Sequence, residues 1–349
     1  MINFGIIGAG MIAEKHIAGL QKTGKVNVSW VARKNEAGLK AIQEKYGIPN
    51  GTVNYQEVLD DKAVEAVVLC TPPAMHYEMF KAAVKAGKHV LLEKPAAIHA
   101  HELDDMIELS LSHPELLISD CSARHARLQP KFPKVKELIN SGALGDIYFI
   151  HHNAVARQSR PGIEYHPSAK WFLNRSIAGG GVLFDWGVYD LSFHLGLLND
   201  EPEVTSSKLL FMKNGLDKKD PETDVFDVEE HFAAQLELSN GVKYYWERAT
   251  NANMEAKNET RIYGTRGGIK LSFCSWESAD IEFFDVSENG TGKAQSTVFT
   301  IDMEGHDDND ALSQHFVDAL SGNESLQMSL ELARKHLRII QELYRQAGR

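Results

Sequence analysis

Short apolar runs alternate with helical patterns along the first third of the chain. Strands are predicted at residues 2–7, 26–32, 66–70, 88–92 and 116–120. Helices are predicted between them, near residues 11–22, 36–46, 75–86 and 100–112. This alternation is typical of βαβ units that build a parallel sheet.

The pattern changes after a predicted helix at 131–140. Strands are then predicted at 146–155, 203–213, 226–239, 242–250, 258–264, 268–274, 280–286 and 296–302, with helices near 185–198, 308–321 and 326–346. Segment 213–226 is polar and acidic, and we expect an exposed loop there. Runs of strands with few helices between them predict an open, mostly antiparallel sheet. The fold class is therefore α/β, with a parallel-sheet domain expected at 1–121 and a second, mostly antiparallel domain at 122–349.

The first predicted strand runs directly into the pattern Gly8-x-Gly10-x-x-Ala13. A match that ends a first strand and opens a helix is the dinucleotide-binding fingerprint. Gly8 allows a tight turn, Gly10 lets the backbone approach a pyrophosphate, and Ala13 lets the helix lie close to the sheet. The helix N-terminus then offers free N–H groups to the phosphates. The alternative is an ordinary glycine-rich turn.

The end of the second predicted strand bears on the choice between NAD and NADP. An NAD site usually places a carboxylate there to accept the ribose 2′-hydroxyl. This chain has Arg33 and Lys34 instead, and a guanidinium pairs with a 2′-phosphate. We therefore expect NADP. The alternative is that both side chains are solvated and that NAD binds without this partner.

Composition excludes several classes of function. The chain has 349 residues, 43% of them hydrophobic, and a net charge of −11. No basic run stands out and no apolar run approaches a membrane span, so we expect neither a nucleic acid nor a membrane partner. Three cysteines, far apart and odd in number, predict no disulfide framework and fit a cytoplasmic location. Because the first strand begins at once, we expect no signal peptide.

Two further motifs carry chemistry. The strand at 88–92 ends in Glu93-Lys94-Pro95, and strand ends of this kind face the coenzyme crevice in doubly wound folds. Later, three glycines at 179–181 precede Asp185 and Tyr189, which are four residues apart. A helix starting near Asp185 would place both side chains on one face. The alternatives are a helix N-cap for Asp185 and a core position for Tyr189.

The chain resembles the Gfo/Idh/MocA family of oxidoreductases along essentially its whole length. The resemblance rests on GAGMIA at 8–13, TPPAMHYE at 71–78, AGKHVLLEKP at 86–95, ELINSGALGDI at 137–147 and GGGVLFDWGVYD at 179–190. It implies that residues 1–121 form a Rossmann NAD(P)-binding domain. Residues 122–349 would then form a substrate-binding and oligomerisation domain of the α/β class, with an open antiparallel sheet. The resemblance also implies a cis bond between Lys94 and Pro95.

The resemblance further implies the roles of individual residues. Lys94, Asp185 and Tyr189 are implied in catalysis. Coenzyme contacts are expected at Gly8, Gly10, Met11, Ile12, Arg33, Lys34, Thr71, Pro72, His76, Glu93 and Lys94. Substrate contacts are expected at Arg124, Trp171, Asp185 and Tyr189, and Trp186 is a candidate for packing against a sugar ring. Tyr189 stands where many members carry histidine. Because a free tyrosine has a pKa near ~10, this difference argues against inositol-type chemistry and leaves several sugars open.

These expectations define an NAD(P)-dependent dehydrogenase or reductase acting on a sugar, a polyol or a related carbonyl compound. No histidine spacing suggests a metal site, so we assign none. A homo-oligomer, dimer or tetramer, is expected because an open sheet face needs cover. Two alternatives remain: a non-catalytic NAD(P)-binding sensor, and a glycosidase that uses bound NAD for transient oxidation.

Overall fold

The computed structural model describes residues 1–157, 161–212, 225–286 and 292–348. These residues form two compact units. Unit 1 comprises Met1–Arg124 and His306–Leu337, and unit 2 comprises His125–Gly305 and Arg338–Arg349. Residues 213–224 of the predicted exposed loop lie outside the described residues.

Unit 1 is built on a six-stranded parallel sheet with strands in the order β3-β2-β1-β4-β5-β6. Its strands are β1 Ile2–Ile7, β2 Val26–Ala32, β3 Asn50–Thr52, β4 Ala66–Leu69, β5 His89–Leu92 and β6 Ile118–Asp120. The helices are α1 Met11–Lys22, α2 Glu36–Tyr46, α3 Tyr55–Asp60, α4 His76–Lys85 and α5 Ala100–Leu111, with short 3-10 turns at Pro73–Met75 and Cys121–Ala123. All four residues of β4 are buried, as a central strand covered on both faces requires.

Unit 2 is built on an eight-stranded sheet with the order β14-β13-β12-β11-β7-β10-β9-β8. Its strands are β7 Ile147–Val155, β8 Val204–Phe211, β9 His231–Leu238, β10 Lys243–Ala249, β11 Ala256–Gly264, β12 Gly267–Leu271, β13 Asp280–Asp285 and β14 Gln295–Thr300. Its helices are α6 Lys131–Asn140, α7 Arg175–Ala178 and α8 Val182–Leu197, with a 3-10 helix at Lys170–Leu173. Strands β7 and β10 pair in parallel, whereas the other neighbours are antiparallel. The predicted fold class is confirmed.

The division of the chain differs from the predicted one near the C-terminus. Helix α9, Asp308–Leu320, and residues 330–337 of helix α10, Leu330–Gln346, belong to unit 1. The reason lies in α1 and β1, which pack against α9. Gly19 leaves room for Ser313, and the rings of Phe4 and Phe316 meet edge to face with centroids 6.2 Å apart.

Helix α8 is buried almost along its whole length. It begins at Val182, one turn before the position expected from the sequence, and Asp185 therefore lies in its first turn. The cap comes from Glu229, whose carboxylate accepts hydrogen bonds from the N–H groups of Gly181 and Leu183, both 3.0 Å long. A side chain at Gly181 would collide with the backbone of Glu229. The glycine run thus serves close packing within unit 2.

Candidate functional site

The carboxyl ends of the parallel strands in unit 1 bring several predicted residues to one edge of the sheet. Gly8 follows β1 with φ of +92°. A Cβ there would lie 2.7 Å from the backbone nitrogen of Thr71, so only glycine fits the turn. Thr71 itself follows β4 at the adjacent strand end, with Pro72 next to it. The fingerprint is therefore built as the sequence predicts.

Gly10 is the N-cap of α1 and differs from Gly8. Among the described residues beyond its chain neighbours and its own helix, none has an atom within 4 Å of a Cβ placed on Gly10, and none caps the helix with its side chain. Met11 is exposed and Ile12 half-buried in the first turn. The start of α1 thus has room beside Gly10 and no side-chain cap among the described residues, and an uncapped helix N-terminus of this kind can bind a pyrophosphate. These residues fit a dinucleotide.

Arg33 and Lys34 follow β2 at the same edge of the sheet. The Arg33 backbone N–H donates to the Thr52 carbonyl across 3.0 Å. The Arg33 guanidinium lies against Gly38 in the first turn of α2, in space that a Cβ at Gly38 would fill. Lys34 is exposed. Two cationic side chains therefore stand where a coenzyme ribose is bound in this fold.

His76 is fully buried and joins two of these strand ends. Its Nε2 lies 2.7 Å from the Thr71 carbonyl oxygen and its Nδ1 lies 3.0 Å from that of Pro95. Burial lowers the pKa of His76. Each ring nitrogen faces a carbonyl oxygen of a different loop, so His76 lies between the two loops and links them, and the expected coenzyme contact stays a prediction.

Glu93 and Arg124 form a buried ion pair behind Lys94. The Glu93 carboxylate meets Arg124 Nη1 at 2.5 Å and His16 Nε2 at 2.7 Å, and it accepts the Lys94 backbone N–H at 3.0 Å. Burial opposes the ionisation of Glu93, yet Arg124 and His16 hold the pKa of its carboxyl well below the usual range. Arg124 is only 3% exposed. Arg124 and Glu93 together fix the backbone at Lys94, and the substrate contact expected for Arg124 stays a prediction.

Lys94 is half-buried at the carboxyl end of β5, and its bond to Pro95 is cis. The neighbouring strand β6 ends at Asp120, whose backbone is in register with Leu92. Asp120 is 2% exposed, and burial raises its pKa to about 6. The charge of Glu93 raises this pKa further, whereas that of Lys94 lowers it.

In unit 2, Asp185, Trp186 and Tyr189 lie on α8 within one turn of each other. Asp185 is half-buried and Tyr189 is 1% exposed. The Tyr189 ring meets those of His125 and Trp186, with centroids 4.8 and 5.4 Å away. Asp185 also lines a cleft with Phe172, Gly181 and other residues. Trp171 lies on the 3-10 helix and stacks on Phe172 at 3.8 Å.

The residue after Tyr189 anchors α8 to the sheet. The Asp190 carboxylate accepts bonds from Arg248 Nε at 2.5 Å, Arg248 Nη2 at 2.6 Å and Trp246 Nε1 at 2.7 Å. His152 Nε2 lies 3.3 Å away. Burial opposes the charge on Asp190, but Arg248 and His152 keep the pKa of this carboxyl well below its usual range. A fully paired buried carboxylate of this kind fixes one packing of the helix.

Sequence reasoning missed Glu229, Asp120, His125 and Trp276. For Asp120, its place at the end of the strand predicted at 116–120 could have indicated a site residue. The other three become neighbours of α8 only through the fold of unit 2. No local motif marks them.

One group of three potential metal ligands lies together among the described residues: His16, Glu93 and Cys121. The Glu93 oxygen is already shared by Arg124 and His16. Burial also raises the pKa of the Cys121 thiol well above its usual value. A guanidinium and an un-ionised thiol oppose a bound cation, so we assign no metal. All three cysteines are free and buried.

These features define a class: a dinucleotide-dependent oxidoreductase with a Rossmann sheet. Two family models identify the family within this class. The model described as "Oxidoreductase family, NAD-binding Rossmann fold" matches residues 2–120, and that of the GFO/IDH/MocA C-terminal domain matches residues 132–270. The chain belongs to the Gfo/Idh/MocA family, and the predicted resemblance is confirmed.

Curated relatives and solved structures agree with this assignment. Oxidoreductase P35 of Formosa agariphila is 27% identical, covering 78% of this chain and 79% of the relative. The D-glucoside 3-dehydrogenase of Escherichia coli is also 27% identical, covering 76% of each. A levoglucosan dehydrogenase solved with NADH and levoglucosan has a TM-score of 0.83 at 20% identity, over 99% of this chain and 97% of that one. At this identity the solved structure shows the fold alone. Within the described residues, none of the helices combines the length and the apolar character that a bilayer span requires.

Proposed function

We propose that this oxidoreductase transfers a hydride between NADP and a hydroxyl-bearing carbon of a sugar or polyol. The observation that carries the proposal is the edge of the unit 1 sheet. There, an uncapped helix N-terminus at Gly10 follows β1 and Lys94 follows β5, with only β4 between these two strands. The names of relatives support the substrate class, among them a D-xylose 1-dehydrogenase [NADP(+)] of Haloarcula marismortui and a myo-inositol 2-dehydrogenase of Thermotoga maritima.

The protein's own groups handle the proton. A bound nicotinamide coenzyme supplies the hydride acceptor or donor. In the oxidising direction, Lys94 as the free amine accepts the hydroxyl proton of the substrate. In the reducing direction, its ammonium polarises the carbonyl oxygen and returns the proton. Asp185 accepts a hydrogen bond from a neighbouring hydroxyl of the substrate. Tyr189 is the second group, besides Lys94, that delivers the proton to the new hydroxyl.

The preference for NADP rests on Arg33. Replacing it in Arg33→Asp puts a repulsive carboxylate where the 2′-phosphate is expected. Loss of a charge-assisted hydrogen bond contributes about 1.5–3 kcal/mol, so NADP affinity should fall about 10- to 100-fold while NAD affinity changes little. Lys40→Asp, an equal charge change at an exposed site of α2, is the control. Unchanged NADP binding in Arg33→Asp would refute the preference.

The activity itself is tested with a panel of sugars and polyols, followed at the nicotinamide absorbance with NADP and with NAD. We expect turnover of at least one compound. Tight coenzyme binding without turnover of any would favour a sensor. A coenzyme that survives desalting, together with release of a sugar and no net change in nicotinamide, would favour the redox-assisted glycosidase.

We further propose that a second copy covers the outer face of the unit 2 sheet. Aromatic rings line this face: Phe149 lies 5.3 Å from Tyr263, and His151 lies 5.0 Å from Tyr245. Light scattering after size exclusion should give at least a dimer, and Tyr245→Glu should weaken it. A monomer at micromolar concentration would contradict this proposal.

The buried free thiols support the expected cytoplasmic location.

A further inference from the structure

Trp276 is a large aromatic side chain that unit 2 leaves 56% exposed. It lies between β12 and β13, on a segment that follows the last strand residue Leu271. A single exposed tryptophan is unremarkable by itself. What distinguishes Trp276 is how firmly the segment around it is held.

A buried lysine fixes this segment. Lys131, the first residue of α6, is 0% exposed. Its Nζ donates hydrogen bonds to the carbonyl oxygens of Cys274 at 2.9 Å, Ser278 at 2.5 Å and Ser272. Burying an ammonium is costly unless its donors are satisfied. Three carbonyls of one short segment satisfy them, on both sides of Trp276.

Asn258 of β11 holds the same segment from another side. Its backbone N–H donates to Glu277 Oε1 at 3.2 Å, and its side-chain oxygen accepts from the Phe273 N–H at 3.3 Å. Residues on either side of Trp276 are thus tied to the sheet. The exposed indole is presented by a rigid support.

The support places Trp276 at the end of a row of aromatic rings. Trp276 meets His125 edge to face at 5.2 Å and Trp186 at 6.1 Å. Both of those rings contact Tyr189. The Arg248 guanidinium lies 4.5 Å from the centre of the Trp186 ring and is itself held by Asp190. The row therefore leads from the proposed substrate residue Tyr189 to the exposed indole.

We infer that Trp276 forms a second sugar subsite, on which the ring next to the reacting one stacks. A pyranose has an apolar face of C–H groups that packs on an indole, and its hydroxyl groups stay in water at the edge. Trp276 stands one ring beyond His125 and Trp186, the two rings that contact Tyr189. A sugar ring stacked on Trp276 would therefore lie beside a ring held at Tyr189. The inference rests on the proposed function and specifies the substrate class: a glycoside with two rings, not a free monosaccharide.

The test compares glucose with a set of α- and β-linked glucose disaccharides in steady-state kinetics. In Trp276→Ala we expect KM for the preferred disaccharide to rise about 3- to 10-fold, the size of one aromatic stacking contact. Values of kcat, and both constants for glucose, should stay within twofold. Trp276→Phe should recover part of the loss. Met254→Ala, which trims another exposed apolar side chain of unit 2, is the control.

Lys131→Met should give the same selective rise in KM, because it releases the segment that carries Trp276. Glu277→Gln is a milder variant for the case in which Lys131→Met does not fold. Equal kinetics of Trp276→Ala and wild type on every disaccharide would overturn the subsite and leave the proposed function standing. If the wild type turns over neither class of sugar, the wider panel of sugars and polyols decides the proposed function. Disaccharide binding to the NADP-loaded protein then decides the subsite: weaker binding by Trp276→Ala supports it, and equal binding overturns it.

Discussion

The candidate site residues of unit 1 and unit 2 are held in place by different means. In unit 1 they follow directly on parallel strands, and backbone geometry places them: the turn at Gly8, the open helix end at Gly10, and Lys94 after β5. In unit 2, Asp185 and Tyr189 lie on the buried helix α8, which is fixed by the ion pair between the distant residues Asp190 and Arg248. Local sequence therefore determines the first arrangement, and tertiary packing determines the second.

The largest effect on stability should come from the buried pair of unit 2. Asp190→Asn keeps the shape of the side chain but leaves the Arg248 guanidinium buried without its counter-charge. Breaking a buried pair in this way costs about 3–5 kcal/mol, measured as the free energy of unfolding in urea. Glu259→Gln, at a partly exposed pair with Arg261 on the same sheet, should cost at most about 1 kcal/mol. Similar losses for the two variants would contradict the role given to Asp190.

In unit 1, by contrast, removing the charge of a buried carboxyl should make the protein more stable. The folded state raises the pKa of Asp120 from 3.8 to about 6. Between these values the folded protein binds the extra proton, so this group's contribution to stability falls as pH rises from about 4 to 6. Asp120→Asn should remove this slope and make the protein more stable than wild type above pH 6, by at most about 3 kcal/mol. Urea unfolding at several pH values measures it, and a variant less stable at pH 7 would refute the assignment.

The two glycines of the fingerprint should show the smallest effects, and they separate an effect on stability from an effect on coenzyme affinity. In Gly8→Ala, a side chain at positive φ next to the Thr71 backbone should cost about 1–3 kcal/mol of stability. In Gly10→Ala the Cβ comes within 4 Å of no atom of the described residues beyond its chain neighbours and its own helix, so stability should change little while coenzyme affinity falls. Thermal unfolding and coenzyme titration separate the two effects. Equal coenzyme affinity for Gly10→Ala and wild type would show that the backbone at Gly10 does not approach the phosphates.

The same contrast explains what the sequence could predict. The bounds of β1, β2, α1, α2 and α6 agree with expectation, because apolar periodicity and end signals are local. β3 was missed because Asn50-Gly-Thr52 has little strand character. The start of α8 was misplaced because its cap, Glu229, is 48 residues away.

The environment of charged side chains could not be predicted either. Lys131 bonds to carbonyls about 140 residues further along the chain, and nothing near it in sequence marks it as buried. Arg124 was expected at the substrate because members of the family often have an arginine in a loop that reaches the active site. Its pairing with Glu93 depends on strands β5 and β6 ending side by side.

The central claim is that unit 1 supplies both the coenzyme site and the proton-transferring lysine. Single-turnover hydride transfer in Lys94→Ala tests it most directly, with a substrate from the panel and with NADP affinity measured in parallel by fluorescence. We predict a rate lower by about 10²–10⁴-fold and an NADP affinity within a few fold of wild type, because Lys94 acts at the reacting carbon's oxygen and not at the phosphates. A variant that keeps most of its hydride-transfer rate would contradict the account.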